Sequence, residues 1–211
     1  MGKLDLITII IIAANVIISY KGFGDYSFFD KYKFHVGGVQ RGEKIRMFSS
    51  GFLHVDMQHL LFNMITLYFF SGQVIYEVGT TGFLLIYVGS LFVGNLLSLY
   101  FHKREYHYSA VGASGAVMGV IYSAILFDPW MEINFFIPGF VFGIGYLLYS
   151  IYGMKNKIGN IGHDAHFGGA IGGYLITLIL SPWLFETNLL MIGLLAIPII
   201  LLFALRKFGK M

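Results

Sequence analysis

Seven stretches of this 211-residue chain are apolar enough to enter a membrane, and they leave little sequence for anything else. They run over roughly 4–20, 58–77, 82–101, 112–127, 134–152, 165–182 and 188–205, close to the ~20 residues a helix needs to cross hydrocarbon. Lipid offers no partner to a free backbone N–H or C=O, so such segments fold as helices. The expected fold is all-α, a polytopic membrane helix bundle. Composition agrees, with 57% hydrophobic and 12% charged residues, where soluble domains carry roughly 25% charged residues. Mean hydropathy is +0.74. No separate soluble domain is expected. Lys3 ahead of the first apolar run resembles the start of a signal peptide. No small-residue cleavage site follows and Asn15 interrupts the run, so it is read as a retained helix.

One connection is long. Residues 21–57 mix Phe23, Tyr26, Phe28, Phe29, Tyr32 and Phe34 with Lys21, Lys31, Lys33, Arg41, Lys44 and Arg46. Aromatic and basic residues together suit the headgroup region of a bilayer; an ordinary folded loop would read the same way. The net charge of +3 is small and its basic residues lie between apolar runs, so lipid headgroups are the expected neighbours, not nucleic acid. With no cysteine, thiol catalysis, disulfides and cysteine metal sites are excluded.

Three short polar patches open three of the runs. His54-Val55-Asp56-Met57-Gln58-His59, continuing to Asn63, opens the second. Gly112-Ala113-Ser114-Gly115 opens the fourth, and His163-Asp164-Ala165-His166 opens the sixth. Even-numbered spans all begin at the same membrane face, so the patches are expected at similar depth on one side. Ionisable groups in a span are expensive and mark functional sites.

Ser114 lies between Gly112 and Gly115, with Gly119 four residues beyond. Small residues let another helix approach closely, and the first amides of a helix are free to meet a developing oxyanion. Gly169 and Gly173 share a helical face with His166. If that face packs on Gly115 and Gly119, the imidazole can reach Ser114 and serve as the base that a serine nucleophile needs. A tight helix pair with a polar bond between its members has the same letters. His59 and Asn63 are four apart, share a face and can donate to an oxyanion, or can simply tie neighbouring helices together. His54 and Gln58 are expected to orient the loop entering this helix. His163 is expected near the interface. Asp164, two residues from His166, falls on nearly the opposite side of the helix and is left out of the site.

H-x-x-x-N over His59–Asn63, G-x-S-G over Gly112–Gly115 and A-H-x-x-G-x-x-x-G over Ala165–Gly173 together resemble the rhomboid family of intramembrane serine proteases. The resemblance runs from about residue 4 to 182. It implies Ser114 as nucleophile and His166 as general base, a dyad without an acid. His59, Asn63 and the Ser114 amide would hold the oxyanion. It also implies a rhomboid-like six-helix core over 1–182, with 183–211 adding a seventh transmembrane helix and a basic tail. Arg46 of Ile45-Arg46 matches the arginine of a Trp-Arg pair in the family's first loop, although the tryptophan is missing. Glu77 matches a structural glutamate. Many members carry a tyrosine stacked on the base histidine four residues after the serine, where this chain has Met118. A thioether is flexible and has no hydroxyl. The fifth run, with Pro138, Gly139, Gly143 and Gly145, is expected to be the mobile helix, and residues 153–164 a lid carrying Gly153, Gly159 and Gly162; an irregular helix held by its neighbours would carry the same residues.

The expected activity is therefore hydrolysis of peptide bonds in or near the transmembrane segments of other membrane proteins, with no cofactor. Three rivals remain: an inactive rhomboid-like binder of membrane clients; a metal-dependent hydrolase using His59, His163 and His166; and a transporter. The second lacks H-E-x-x-H. The third lacks an inverted repeat. Two arguments oppose each other on orientation. With seven spans, all 14 lysines and arginines except Lys3 fall on the face of the polar patches. The positive-inside rule puts that face in the cytoplasm. Resemblance to bacterial rhomboids puts it on the extracytoplasmic side of the inner membrane, and that placement is preferred.

Overall fold

The computed structural model describes residues 5–133, 136–159 and 162–210. Lys3, the first residue of the first expected span, the first two of the fifth and two of the expected lid lie outside them. The chain opens with α1 (Leu6–Gly24). The long connection then folds into α2 (Tyr26–Tyr32), β1 (Phe34–His35), α3 (Val36–Gln40), α4 (Arg46–Ser49) and a 3₁₀ turn at Ser50–Phe52. After α5 (Met57–His102) come β2 (Ser109–Ala110) and α6 (Ser114–Phe127). β3 (Glu132–Ile133) and β4 (Ile137–Pro138) precede α7 (Gly139–Asn156). The chain ends in α8 (His163–Leu180), α9 (Leu184–Thr187) and α10 (Leu189–Lys207).

The 46 residues of α5 are two spans joined at Gly79, where the backbone leaves the helical region at φ 69°, ψ 174°. Glycine adopts a positive φ that a side chain resists. The chain turns back there. Both ends of α5 consequently reach one face: His59 lies against Gly112, and His102 Nε2 is 3.5 Å from Asp164, at the start of α8. Counting α5 as two, the described residues hold seven long helices at the seven expected apolar runs, with shifted boundaries. α6 begins at Ser114 and not at 112, because Gly112 is held at φ 132°. α7 begins at Gly139 and not at 134. Ile133 pairs with Ile137 and Glu132 with Pro138 in a short antiparallel ladder first. Pro138, with fixed φ and no N–H, then precedes the first helical residue.

α6 is the centre of the molecule. Every residue from Gly115 to Leu126 is buried, so this 14-residue helix meets protein, not lipid, on all sides. α8 reaches α6 through glycine. A Cβ at Gly169 would land on the Gly115 carbonyl, and one at Gly173 on the Gly119 carbonyl. The neighbouring glycines serve the second half of α5: a Cβ on Gly168 would sit 2.8 Å from Gly94 Cα, and one on Gly172 2.8 Å from Ser90 Cα. Thr177 Oγ1 donates to Ser123 Oγ at 2.7 Å farther down the α6–α8 seam. The outer helices face the other way. α1, α5 and α10 have the length and hydropathy to cross a membrane, and α1 and α10 expose Ile9, Ile10, Ile17, Leu190 and Ile200. α10 packs on α7, and Tyr174 Oη bonds the Ile192 carbonyl at 3.0 Å. Arg206 near its end lies over the Tyr100 and Phe101 rings at 4.3 and 4.2 Å.

Candidate active site

The helix starts of α5, α6 and α8 meet at one face, and the polar patches meet with them. Ser114 is the first residue of α6, so the N–H groups of Ser114, Gly115 and Ala116 have no helical carbonyl one turn earlier to bond. The segment before it is clamped by the long connection. Phe34 and His35 pair with Ala110 and Ser109, Gly112 N–H donates to Ser50 C=O at 3.0 Å, and Ala113 N–H donates to His54 Nε2 at 3.3 Å. Ser19 Oγ donates to Phe52 C=O at 2.9 Å and lies 2.8 Å from His54 Nδ1. Its single proton is thereby used, so His54 donates through Nδ1–H and accepts through Nε2. Burial pushes this imidazole down to about 3 from its ordinary 6.5, which keeps it neutral in that role. His54 thus ties the serine loop to α1, a firmer and more distant link than loop entry alone. Gln58, expected to share the task, is exposed.

Arg46 organises the connection itself. It is 9% exposed, bonds the Asp30 and Lys33 carbonyls at 2.7 and 2.9 Å and pairs with Glu43 at 2.5 Å. That pairing holds the Glu43 carboxyl below its ordinary range. Asn95 of α5 fastens the same region by donating to Met47 C=O at 2.8 Å and Ser50 Oγ at 3.1 Å.

His166 meets the serine as the glycine faces imply. Its Nε2 lies 2.6 Å from Ser114 Oγ. Its Nδ1 lies 2.6 Å from Tyr146 Oη of α7, a residue without a motif around it. Met118 lines the cavity below. The Asp164 carboxylate turns away from His166, toward Tyr108 Oη at 3.3 Å and His102, whose ring stacks on Tyr108 at 3.6 Å. Burial and this carboxylate push the Tyr108 phenol well above its ordinary value. His163 is buried within the protein. It packs on Gly153 and its Nε2 is 3.2 Å from Ile158 C=O. Gly153 is accordingly a helical residue of α7 and part of a packed contact, not a hinge of the expected lid; Gly159, at φ 65°, does lie in the short connection.

His59 stands beside the serine loop, where a Cβ on Gly112 would come within 2.7 Å of its ring. Its Nδ1 is buried and has no partner among the described residues. Asn63 uses one amide proton on the His59 carbonyl at 2.9 Å and keeps a second. Both residues line a cavity of about 1200 Å³ with Ser114, His166, Tyr146 and Phe142. Val117, Met118, Ile121 and Ile133 make its deeper wall apolar. Glu77 is far from this site, 18 residues along α5 from His59 or about 27 Å at 1.5 Å per residue. No group of three or more His, Asp or Glu suited to a metal occurs among the described residues.

A serine oxygen within hydrogen-bond distance of a histidine, beside free amides and two donor side chains, is an arrangement able to perform acyl transfer. The family model described as Rhomboid domain matches residues 41–183. Rhomboid protease GluP of Bacillus subtilis (strain 168) is 29% identical over 143 residues, covering 68% of this chain and 27% of that protein. RHOMBOID-like protein 12, mitochondrial, of Arabidopsis thaliana is 25% identical over 186 residues, 79% of this chain and 55% of that one. Rhomboid protein 1, mitochondrial, of Saccharomyces cerevisiae is 29% identical over 140 residues, 63% and 40%. The chain thus spans between about a quarter and just over half the length of these relatives.

Proposed function

The chain belongs to the rhomboid family, and from that premise we propose that it is an intramembrane serine endopeptidase acting in or near the transmembrane segments of other membrane proteins. The observation that carries the reading is the 2.6 Å contact between Ser114 Oγ and His166 Nε2 at the floor of a cavity. Ser114 Oγ attacks the scissile carbonyl carbon and its proton passes to Nε2. The carbonyl π pair moves onto oxygen, where the Ser114 amide and the His59 and Asn63 side chains receive it. Collapse breaks the C–N bond, and the leaving amine takes the proton from Nε2. Water then attacks the ester by the same route, releases the carboxylic acid and restores Ser114. A helical peptide bond is shielded by its own hydrogen bonds, so the substrate segment must unwind locally to enter. The chemistry needs no cofactor.

We take residues 1–182 as the catalytic core and 183–211 as an added helix with a basic tail. The protein is integral to a membrane, and we place it in a bacterial inner membrane with the cavity open to the extracytoplasmic side. The inactive-binder reading is disfavoured because Ser114 and His166 are both present and in contact. The test is cleavage of tagged single-span proteins in proteoliposomes. The parent should cut at least one of them, and Ser114→Ala and His166→Ala should each lose on the order of 10⁴–10⁶ in turnover, because members of such a unit fail together. Parental turnover in His166→Ala would show that the base is misassigned.

A further inference from the structure

A base of this kind needs one nitrogen free for the serine proton and the other fixed by a partner. The usual partner is a carboxylate, yet Asp164 is spent on Tyr108 and His102 and no carboxylate approaches His166 Nδ1 among the described residues. What does approach is the phenol of Tyr146, at 2.6 Å, its ring tilted 31° to the imidazole with centroids 6.1 Å apart. The geometry points to Tyr146 as the positioning residue of the dyad: its oxygen accepts the Nδ1–H of His166, which fixes the tautomer and leaves Nε2 open to Ser114.

The position of Tyr146 is itself determined. One turn earlier on α7, the Gly143 carbonyl accepts a hydrogen bond from Tyr122 Oη of the buried helix α6 at 2.6 Å. Phe142 stacks on the Tyr146 ring at 5.8 Å and 22°. A Cβ at Gly143 would meet Leu195 at 3.1 Å and Ile125 at 3.4 Å, so α7 sits close between α6 and α10. The phenol is therefore presented by a registered helix and not by a free loop. Met118 has no hydroxyl, and the one that meets His166 Nδ1 comes from α7. A phenol is neutral, so it orients the ring without lending the charge that a carboxylate would.

The inference rests on the reading of Ser114 and His166 as a catalytic dyad, and the experiment separates the two. Turnover is measured for the parent, Ser114→Ala and Tyr146→Phe on two substrates, a single-span protein in proteoliposomes and a short activated ester in detergent. Tyr146→Phe should lower kcat about three- to tenfold on both, the loss expected for one neutral hydrogen bond, with KM and thermal midpoint unchanged. ¹⁵N spectra of histidine-labelled protein, with His166 assigned by its absence in His166→Ala, should show one Nδ1–H tautomer in the parent and a mixture in Tyr146→Phe. Parental kcat in Tyr146→Phe, a loss confined to KM or to the single-span substrate, or the same tautomer in both proteins would each overturn the assignment of Tyr146. No cleavage by the parent, or full cleavage by Ser114→Ala, would overturn the dyad instead.

Discussion

The groups that meet Ser114 differ in how visible they are in the sequence. Its glycine flanks and the histidine on a glycine face carry spacing, and spacing is enough to bring the two together in a helix pair. Tyr146 is one tyrosine among the aromatics of α7, and nothing in its surroundings marks it until the three-dimensional register sets it against Nδ1. His54 was recognisable as structural, but its bond to Ala113 joins residues 59 apart and no local pattern reports that. The proposed oxyanion role of His59 and Asn63 gives a first prediction. His59→Ala and Asn63→Ala should lower kcat more than they raise KM, each by less than the roughly 2.7–4 kcal/mol seen for a single donor elsewhere, since donors on one oxyanion substitute for each other in part. Unchanged kinetics in both variants would return the pair to holding helices together. His54 gives a second. Its folded value, about 3, lies below its unfolded value near 6.5, so the unfolded chain binds the extra proton between them. The stability His54 contributes is complete above about pH 6.5 and falls as pH drops toward 3. Thermal midpoints in detergent between pH 7.5 and 5 should fall in the parent and less steeply in His54→Gln, and parallel slopes would contradict the assignment.

At the scale of elements, the glycines of α8 divide their work. Gly169 and Gly173 admit the backbone of α6, while Gly168 and Gly172 admit the second half of α5. The motif makes the first pair legible; the second becomes visible only when both neighbours are in place. The existence of the long apolar helices was legible, because apolar runs in lipid have no alternative, whereas the short helices α2, α3, α4 and α9 carry no such run and were not. Helix ends were not: the β3–β4 ladder delays α7, and α7 then continues to Asn156, leaving a shorter connection than the expected lid. Gly169→Val and Gly173→Val should lower thermal stability and turnover together, by roughly 1–3 kcal/mol or more in stability, since a side chain there meets backbone that cannot move aside. Ile200→Val on the exposed face of α10 is the control. Equal midpoints in all three variants would refute the packed seam.

At the scale of the molecule, seven spans put Ser27 and Lys210 on the face of the cavity, and both are exposed. The charge rule and the family resemblance disagree on which compartment that face meets. With no native cysteine, single cysteines at these two positions report it cleanly. An impermeant thiol reagent on intact cells should label both. Protection at both until the membrane is permeabilised would favour the charge count, and opposite outcomes at the two sites would break the span count itself. The dyad is likewise a property of the whole bundle, since Ser114 comes from α6 and His166 from α8. Its most direct test is a fluorophosphonate probe on the detergent-solubilised protein, with the adduct mapped by mass spectrometry. The account predicts a single adduct on Ser114 that is lost in Ser114→Ala and in His166→Ala while both variants keep the parental thermal midpoint; an unlabelled parent, or labelling that persists in His166→Ala, would contradict it.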